Sequence, residues 1–320
     1  MDKLVVLARN PAPSGASVGM FAASDGVKLR YARWTATRSP RRGTICLFPG
    51  RGESIEKYFE TIADLRRRGF HVAAMDWRGQ GGSDRPLTNP RKGYPGPYAT
   101  HDGDLLRFMK DVVLPDCPPP FIALGHSMGA HLMIRNAVAT GSWFERMVLT
   151  APMIALANDR VGYPQWVARA FSEMAGLTGF STWYAPGGSD TPSDFIDFEN
   201  NPLTSDRERF LRNRAILVAA PELVLGAPTI GWLRAAFRSM RAMTAPDYPG
   251  RVLVPMLIFS AGQDRIVSSP HTEAFANRLK IGMHIRLPSS RHEILQETDE
   301  VRQRFWAAFD AYLGVDVGVV

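Results

Sequence analysis

One serine lies between two glycines in Gly125–Gly129, which reads Gly-His-Ser-Met-Gly. The Gly-x-Ser-x-Gly spacing is typical of a sharp turn from a strand into a helix that holds the serine hydroxyl outward. Larger side chains at the glycine positions would collide with neighbouring backbone. The apolar run Phe121–Leu124 precedes the motif, and a helical pattern over Ala130–Ala139 follows it. This context predicts that Ser127 is a catalytic nucleophile rather than an incidental residue of a glycine-rich turn.

A serine of this kind needs a general base and an acid. The base removes the hydroxyl proton, and the acid holds the base in the correct tautomer. In chains with this turn, the acid and then a histidine follow the serine. Asp264 follows the predicted strand Met256–Ser260, and His292 follows the predicted strand Met283–Leu287. Both loops are expected at the same sheet edge as Ser127, so we predict a triad of Ser127, Asp264 and His292.

Five other titratable residues are weaker candidates for these roles. His284 lies within a predicted strand and His271 begins a predicted helix, so both are expected to be structural. His126 neighbours the serine, but adjacent side chains at such a turn diverge. Asp76 lies upstream of the serine and is expected to order the glycine-rich loop that follows it. Glu293 stays open as an alternative acid.

An attacked carbonyl becomes an oxyanion, which requires N–H donors already in place. One such donor contributes about 2.7–4 kcal/mol to acyl transfer. The residue after the nucleophile, Met128, supplies one backbone N–H. The second is expected from the loop after the first buried parallel strand, which is Pro49–Glu53. Its glycines let backbone approach a substrate, so we predict the backbone N–H of Arg51 as the second donor, with a plain turn as the alternative.

Strands and helices alternate through most of the chain. The predicted strands are Val18–Ala22, Lys28–Trp34, Thr44–Phe48, His71–Met75, Phe121–Leu124, Met147–Ala151, Met256–Ser260 and Met283–Leu287. The predicted helices are Ile55–Arg68, Asp102–Val113, Ala130–Ala139, Thr272–Leu279 and Asp299–Leu313. The first two strands flank a good hairpin turn at Ser24–Gly26. The later alternation predicts an α/β fold with a mainly parallel sheet and helices on both faces.

The alternation stops over residues 153–250, which indicate helices and loops. We therefore predict one sheet domain in two parts, 1–152 and 251–320, interrupted by a helical insertion. The insertion should lie over the carboxyl ends of the strands, where ligand sites of open α/β sheets occur. It is rich in large apolar side chains, most of which are expected to form its own small core. Examples are Trp166, Phe171, Met174, Trp183, Phe210, Trp232 and Phe237.

Composition excludes some partners. Hydrophobic residues make up 45% and charged residues 22%, and the formal net charge is +7. The positive charge serves solubility or attraction to anionic lipid, since a basic residue near such a surface adds about 1 kcal/mol. The basic clusters Arg38–Arg42 and Arg66–Arg68 are short and lack interleaved aromatics, so no nucleic-acid partner is predicted.

Cysteines and hydropathy bear on the compartment. Cys46 lies in an apolar run and Cys117 in a proline-rich turn, and two cysteines form neither a disulfide framework nor a metal-site spacing. No apolar run approaches the roughly 18 residues of a membrane span, and Leu4–Ala8 is too short for a signal sequence. We expect a cytoplasmic protein that needs no metal or cofactor. Peripheral contact with the inner face of the membrane stays open.

These motifs resemble the monoacylglycerol lipase and bacterial lysophospholipase branch of the α/β hydrolases. The matching segments are Phe48–Ser54, Tyr58, Asp76–Ser83, Gly125–Gly129, Thr150–Met153, Gly262–Asp264 and Arg291–Glu293. The resemblance covers the sheet domain better than the insertion. The oxyanion loop opens His-Gly in the wider family, whereas Pro49-Gly50 here is more similar to the lysophospholipases.

The resemblance implies an α/β-hydrolase fold with residues 153–250 as a helical cap. Some cap side chains would line an acyl channel, where each buried methylene gains about 0.8 kcal/mol. The implied activity is hydrolysis of a lysophospholipid or monoacylglycerol ester through an acyl-enzyme. A general carboxylesterase, thioesterase, perhydrolase or acyltransferase with the same triad stays open, as does a non-catalytic binding protein. A haloalkane dehalogenase or epoxide hydrolase would need an aspartate in place of Ser127.

Overall fold

A computed structural model describes residues 2–139, 141–157 and 165–315. The described residues form one eight-stranded sheet in the order β1-β2-β4-β3-β5-β6-β7-β8. The strands are β1 (Ser17–Ala22), β2 (Lys28–Trp34), β3 (Thr44–Phe48), β4 (His71–Met75), β5 (Phe121–His126), β6 (Phe144–Thr150), β7 (Met256–Ala261) and β8 (Gly282–Leu287). Only the pairs β1–β2 and β2–β4 are antiparallel, so the sheet is mainly parallel, as predicted.

Eight α-helices of more than one turn accompany these strands within the described ranges. They are α1 (Phe59–Arg67), α2 (Tyr98–Phe108), α3 (Met128–Asn136), α4 (Gln165–Leu177), α5 (Arg207–Ala219), α6 (Ile230–Met243), α7 (Ser269–Ala276) and α8 (Asp299–Leu313). None of them has the length and apolar character needed to cross a bilayer. Strands β3, β4, β5 and β7 are buried along their whole length, as expected for strands covered on both faces.

The predicted bounds of β2, β3, β4 and α8 are confirmed, while those of α2 were wrong. This helix begins at Tyr98 rather than Asp102, because Pro97 provides the extended residue that precedes its first turn. It also continues past the predicted end at Val113, through a π-helical turn and a short turn that contains Pro115 and ends at Asp116. A proline near the start of a new turn is tolerated, since its missing N–H has no partner there.

The predicted ends of helices α1, α3 and α7 differ from the observed ends by one to four residues. The predicted helix Ile55–Arg68 is a 3₁₀ turn, Ile55–Tyr58, followed by α1. Helix α3 starts directly after Ser127, two residues earlier than predicted. Helix α7 starts at Ser269 rather than Thr272, with a proline in its first turn.

The helical insertion leaves the sheet after β6 and returns at β7, and its described parts contain no strand. The expectation that its large apolar residues form mainly their own core was wrong. Trp232 and Phe237 of α6 join the core of the sheet domain, while Ile216 and Leu217 of α5 belong to a small separate cluster. Another set is exposed to solvent, namely Trp166, Phe171, Met174 and Trp183.

Ion pairs anchor α5 firmly to the sheet domain. Arg209 pairs with Glu60 of α1 at 2.6 Å and with Asp299 of α8 at 2.7 Å. Arg212 also pairs with Glu60, at 2.8 Å. Helix α4 differs, because it packs on α6 with Ser172 buried on its inner side. The insertion therefore has an inner part attached to the sheet domain and an outer layer formed by α4.

Candidate active site

Ser127 lies at the turn between β5 and α3, in a backbone conformation that side chains rarely adopt. Its φ is 51° and its ψ is −112°. A Cβ at Gly125 would lie 2.8 Å from Ala130, and one at Gly129 would lie 2.2 Å from the carbonyl oxygen of Phe48. Both distances are too short for any side chain, which agrees with the predicted need for glycine. The packing of β5 and α3 thus forces the strained turn that presents the serine.

The three predicted triad residues lie together at the carboxyl edge of the sheet. The Oγ of Ser127 lies 3.0 Å from the Nε2 of His292. The Nδ1 of His292 lies 2.8 Å from the Oδ2 of Asp264. Asp264 and His292 follow β7 and β8, which are neighbours in the sheet. A hydrogen-bonded chain of serine, imidazole and carboxylate is the arrangement that general-base activation of a serine requires.

Backbone groups fix the position of Asp264. Its Oδ1 accepts hydrogen bonds from the N–H groups of Ile266 at 2.8 Å and Val267 at 2.9 Å. The loop is tied to the histidine loop where the N–H of Gln263 donates to the carbonyl of Ser290 at 2.9 Å. Asp264 is therefore held with its second oxygen toward His292.

Burial and charge act in opposite directions on this pair. Burial disfavours the charged imidazolium, but the negative charge of Asp264 and its hydrogen bond outweigh this and raise the pKa of His292 above 6.5. Burial likewise disfavours the carboxylate, yet the charge of His292 and the hydrogen bonds hold the pKa of Asp264 below 3.8. The pair thus favours an ionised aspartate beside a histidine that readily accepts a proton.

The weaker candidates occupy other positions. His284 of β8 is hydrogen-bonded to Ser260 of β7 at 2.8 Å, and His271 of α7 is hydrogen-bonded to Ser268 at 2.7 Å. His126 turns its Nδ1 to the carbonyl of Thr150 at 3.2 Å, although its ring lies 4.8 Å from that of His292.

Asp76 is fully buried and accepts hydrogen bonds from the N–H groups of Gly82 at 2.9 Å and Ile55 at 3.0 Å. It also pairs with the buried Arg30 at 2.6 Å. The prediction that Asp76 orders the loop after β4 is confirmed.

The predicted oxyanion loop lies against the serine turn. A Cβ at Gly50 would lie 3.2 Å from the Cβ of Ser127. The loop's carbonyl groups are held from the other side: Trp77 donates to the carbonyl of Pro49 at 3.0 Å, and Gln80 to that of Gly50 at 2.7 Å. In a trans peptide the N–H points opposite to the C=O, so the N–H of Arg51 is directed away from Gln80.

Arg51 also links this loop to the insertion. Its guanidinium donates to the carbonyl of Gly226 at 2.8 Å and lies 5.1 Å from the ring centre of Trp232 on α6. Met128 is the first residue of α3, where backbone N–H groups have no partner within the helix. The loop Pro49–Glu53 and the first turn of α3 therefore both lie beside Ser127.

Two cavities near these elements do not match the expected acyl channel. One, of about 10 Å³, lies between Arg51, Met128 and Trp232 and is no larger than a single water requires. The other, of about 250 Å³, is lined by Arg78 and Asp84 among others and contains no triad residue.

A buried ionic cluster beside the triad was missed in the sequence. We call Glu53, Lys57, Tyr58 and Glu293 the Lys57 cluster. The Lys57 ammonium lies 2.9 Å from Glu53 and 2.5 Å from Glu293. The other oxygen of Glu53 accepts from the Tyr58 hydroxyl at 2.5 Å and from the N–H of Gly50 at 2.5 Å. The cluster thus ties the predicted oxyanion loop to the loop that carries His292.

The charges of the cluster are unequally balanced. Burial opposes ionisation of Glu53, but the charges of Lys57 and then His126 outweigh it and lower the pKa of Glu53 to about 2. Burial raises the pKa of Glu293 to about 7. The positive charge of Lys57 lowers this pKa, whereas the negative charges of Glu53 and Asp194 raise it further. One lysine therefore pairs with two carboxylates, and the ionised form of Glu53 is stabilised more than the ionised form of Glu293.

The sequence did contain a signal for this cluster. Glu53 and Lys57 are four residues apart, and they stand between the buried strand β3 and the apolar start of α1. Charged residues enclosed by such segments are expected to be buried as a pair. Glu293 was noted only as an alternative acid, whereas its carboxylate faces Lys57 rather than His292. Among the described residues, no group of three histidine, cysteine or acidic side chains is placed to hold a metal ion.

A serine on a strained turn of a mainly parallel sheet, followed by an acid and a histidine and overlaid by a helical insertion, defines the α/β hydrolases. Residues 39–299 match the model of the family described as "Serine aminopeptidase, S33" (Hydrolase_4). This match covers most of the chain, and the protein belongs to that family.

Two relatives of known name are similar over most of the chain. Lysophospholipase L2 of Escherichia coli strain K12 is 29% identical over 290 residues, which cover 88% of this chain and 83% of that protein. Monoacylglycerol lipase of Mycolicibacterium smegmatis is 26% identical over 289 residues, which cover 88% and 91%.

A solved structure shows the same fold. A soluble variant of monoglyceride lipase from Saccharomyces cerevisiae superposes with a TM-score of 0.75 at 19% identity, and the match covers 94% of this chain and 97% of that chain. The predicted α/β-hydrolase fold is therefore confirmed.

Proposed function

We propose that the protein is a serine ester hydrolase that releases a fatty acid from a lysophospholipid or a monoacylglycerol. The observation that carries the proposal is the pair of contacts of His292, at 3.0 Å to Ser127 and at 2.8 Å to Asp264. The names of the bacterial relatives, a lysophospholipase and a monoacylglycerol lipase, support the substrate class.

The proposed reaction has two steps. The Ser127 oxygen attacks the ester carbonyl while His292 takes its proton, and the N–H groups of Arg51 and Met128 stabilise the oxyanion. The tetrahedral intermediate then collapses and the ester C–O bond breaks. The alcohol leaves with the proton from His292, and the acyl group stays on Ser127. Water, deprotonated by His292, then releases the fatty acid and restores the serine. An acceptor alcohol in place of water would make the same site an acyltransferase.

Both donors of the proposed oxyanion hole have structural support. Gln80 holds the carbonyl of Gly50 on one side of the loop, which directs the N–H of Arg51 to the other side. Met128 presents its N–H at the start of α3, where the helix dipole also favours negative charge. Backbone donors that are already in place supply much of the stabilisation in acyl transfer.

We further propose a cytoplasmic enzyme in peripheral contact with an anionic membrane surface. Two cysteines that are both free thiols support a reducing compartment. The net charge of +7 supports attraction to anionic lipid. No metal, cofactor or nucleic acid is part of the proposal.

Labelling with a fluorophosphonate tests the mechanism. The wild-type protein should be modified at Ser127, identified by mass spectrometry of the digest, and should hydrolyse a p-nitrophenyl acyl ester. Ser127→Ala should lose both properties, whereas Ser24→Ala, a matched change in the exposed turn before β2, should keep them. Turnover in the Ser127→Ala protein at the wild-type rate would refute the role of Ser127, and absence of labelling in folded wild-type protein would favour a binding protein.

The substrate class requires a separate panel. We expect lysophosphatidylcholine and monoolein to exceed short-chain p-nitrophenyl esters, an acyl-CoA and an aminoacyl anilide in kcat/KM. A preference for short acyl chains would indicate a general carboxylesterase, and a preference for the anilide would indicate an aminopeptidase. Either result would leave the serine mechanism intact and overturn the lipid assignment.

A further inference from the structure

The side chain of Gln80 is buried against the predicted oxyanion loop, Pro49–Glu53. Its Nε2 donates to the carbonyl of Gly50 at 2.7 Å and to the carbonyl of Glu53 at 3.1 Å. Its Oε1 accepts from the N–H of Gly52 at 3.2 Å. A side-chain amide carries two N–H donors on its nitrogen and an acceptor on its oxygen. Both ends of the Gln80 amide are therefore used on the same loop.

These hydrogen bonds enclose Arg51, whose N–H is the second proposed oxyanion donor. The N–H of Arg51 and the carbonyl of Gly50 belong to one planar peptide unit, and Gln80 holds that unit at its carbonyl. The next peptide unit contains the carbonyl of Arg51 and the N–H of Gly52, and Gln80 holds it at its N–H. One side chain thus fixes both peptide units that meet at the Cα of Arg51. Rotation of the Arg51 N–H out of its direction would break at least one of these bonds.

The turn that carries Gln80 is itself held in place. The N–H of Gln80 donates to the carbonyl of Trp77 at 3.2 Å, and its carbonyl accepts from the N–H of Ser83 at 3.2 Å. Gly81 has a φ of 54°, and a Cβ there would lie 2.3 Å from the carboxylate carbon of Asp76. Only glycine fits that position. The backbone of Gln80 is therefore a fixed support for its side chain.

The arrangement requires an amide at position 80. Methionine fills a similar space but offers no N–H donor, so the carbonyls of Gly50 and Glu53 and the N–H of Gly52 would lose this partner. Such groups turn toward other partners where they can, because a buried polar group without a hydrogen bond is costly. We therefore expect the loop to shift when the amide is removed.

We propose that Gln80 is a positioning residue of the oxyanion hole, which holds the N–H of Arg51 toward the oxygen of the tetrahedral intermediate. The proposal rests on the proposed function, since an oxyanion forms only when Ser127 attacks a carbonyl. Gln80 acts through Arg51 and touches no reacting atom in this role. A displacement of about 1 Å at a catalytic group can lower the rate about a hundredfold.

The kinetic signature of this role is specific. The oxyanion exists in the transition state and not in the bound substrate, so a misplaced donor lowers kcat and leaves KM unchanged. Removal of one such donor costs about 10²–10³ in kcat. A residue that only stabilises the fold has no reason to divide its effect in this way.

Steady-state kinetics of Gln80→Met tests the proposal. With a p-nitrophenyl acyl ester, kcat should fall about a hundredfold, whereas KM should stay within about twofold of the wild-type value. The pH at which His292 titrates in kcat/KM should not move, because the hydrogen bonds of Gln80 go to the oxyanion loop and to its own turn. A rise in KM with an unchanged kcat would overturn the proposal.

Two inhibitors separate positioning from a general loss of structure at the site. An alkyl trifluoromethyl ketone forms a tetrahedral oxyanion adduct with a reactive serine, so its Ki should rise in Gln80→Met by about the same factor as kcat/KM falls. An alkyl ether with the same chain has no carbonyl and forms no oxyanion, so its Ki should stay at the wild-type value. Equal rises for both inhibitors would indicate a collapsed site and overturn the proposal.

Ser83→Ala is the matched control, because Ser83 lies in the same turn. The change removes a hydrogen bond to the carbonyl of Asp76 at 2.7 Å and one from the N–H of Arg30 at 2.9 Å, and neither involves the oxyanion loop. The urea midpoint should fall, while kcat should stay close to the wild-type value. A loss of kcat in Ser83→Ala as large as that in Gln80→Met would overturn the proposal.

Gln80→Asn keeps the test decisive if the methionine variant does not fold. Asparagine retains the amide but is one methylene shorter, so it cannot reach both peptide units that flank Arg51, and kcat should fall at least about tenfold. Wild-type kcat in a folded Gln80→Met or Gln80→Asn protein, beside an active wild type, would refute the role of Gln80 alone. A wild-type protein that hydrolyses no ester would refute the proposed function, and the role of Gln80 with it.

Discussion

Replacement of Lys57 by methionine should expose the energetic role of the Lys57 cluster. The methionine keeps the apolar stem of the lysine but leaves the carboxylates of Glu53 and Glu293 buried without the ammonium that lies 2.9 Å and 2.5 Å from them. Loss of one partner of a buried ion pair typically costs about 3–5 kcal/mol. With an unfolding entropy of about 2.1 cal/mol/K per residue, a chain of 320 residues should lose about 4–7 °C in Tm.

The cost should depend on pH in a defined direction. The pKa of Glu53 is lowered from 4.5 to about 2, so its ionised form stabilises the fold above pH 4.5, and that contribution is lost as pH falls through about 2. Without Lys57 most of this contribution disappears, and Glu293, whose pKa is already raised to about 7, becomes harder to ionise. The deficit of Lys57→Met should therefore be largest at neutral and alkaline pH and shrink as the carboxylates take up protons.

Urea denaturation at about pH 5 and about pH 8, on either side of the Glu293 pKa of about 7, measures the effect. Lys28→Met, which removes an exposed lysine of β2, is the matched control and should change stability by less than about 0.5 kcal/mol. Addition of Glu293→Gln to Lys57→Met should recover part of the loss, because it removes one uncompensated charge. A deficit of Lys57→Met below about 1 kcal/mol at the higher pH, or an equal deficit at both, would refute the reasoning.

Further outcomes are expected for the triad and for the serine turn. Asp264→Asn should lower kcat of ester hydrolysis about 10⁴-fold, because an amide favours the wrong tautomer of His292, while the urea midpoint shows that the protein is folded. The wild-type kcat/KM should fall with decreasing pH at an inflection above 6.5, since a raised pKa leaves His292 protonated below it. Glu293→Gln removes a negative charge near the imidazole and should shift that inflection to lower pH; a shift in the opposite direction would contradict this. Gly129→Ala, whose Cβ would lie 2.2 Å from a backbone oxygen of β3, should fail to fold, whereas Gly103→Ala, with no atom within 4 Å, should gain about 0.5–1 kcal/mol in urea denaturation.

The sheet and the grouping of triad residues could be predicted because local patterns determine them. Strands β3 and β4 are apolar runs ended by Pro49 and by Asp76, and periodicity alone sets their bounds. The order of parallel strands then brings the loops after β5, β7 and β8 to one edge. Each candidate residue lies in the turn or loop that follows a strand, so its placement required no knowledge of side-chain packing.

Features that depend on tertiary contacts were less accessible. The pairing of Lys57 with Glu293 joins residues 236 positions apart, and spacing within a sequence carries no information on such a contact. The outward orientation of the apolar face of α4 could not be predicted from the sequence. Periodicity shows that a helix is amphipathic, but it does not show which side meets solvent.

The division of the insertion has a consequence for divergence among relatives. Helix α5 is fastened by Arg209 and Arg212 to Glu60, so change there disturbs the scaffold that holds the active-site loops. Helix α4 contacts mainly α6, and among the described residues its ion pairs are with Arg234 and Arg238 of α6 rather than with the sheet domain. Changes in the outer helix should therefore leave the scaffold of the active-site loops intact.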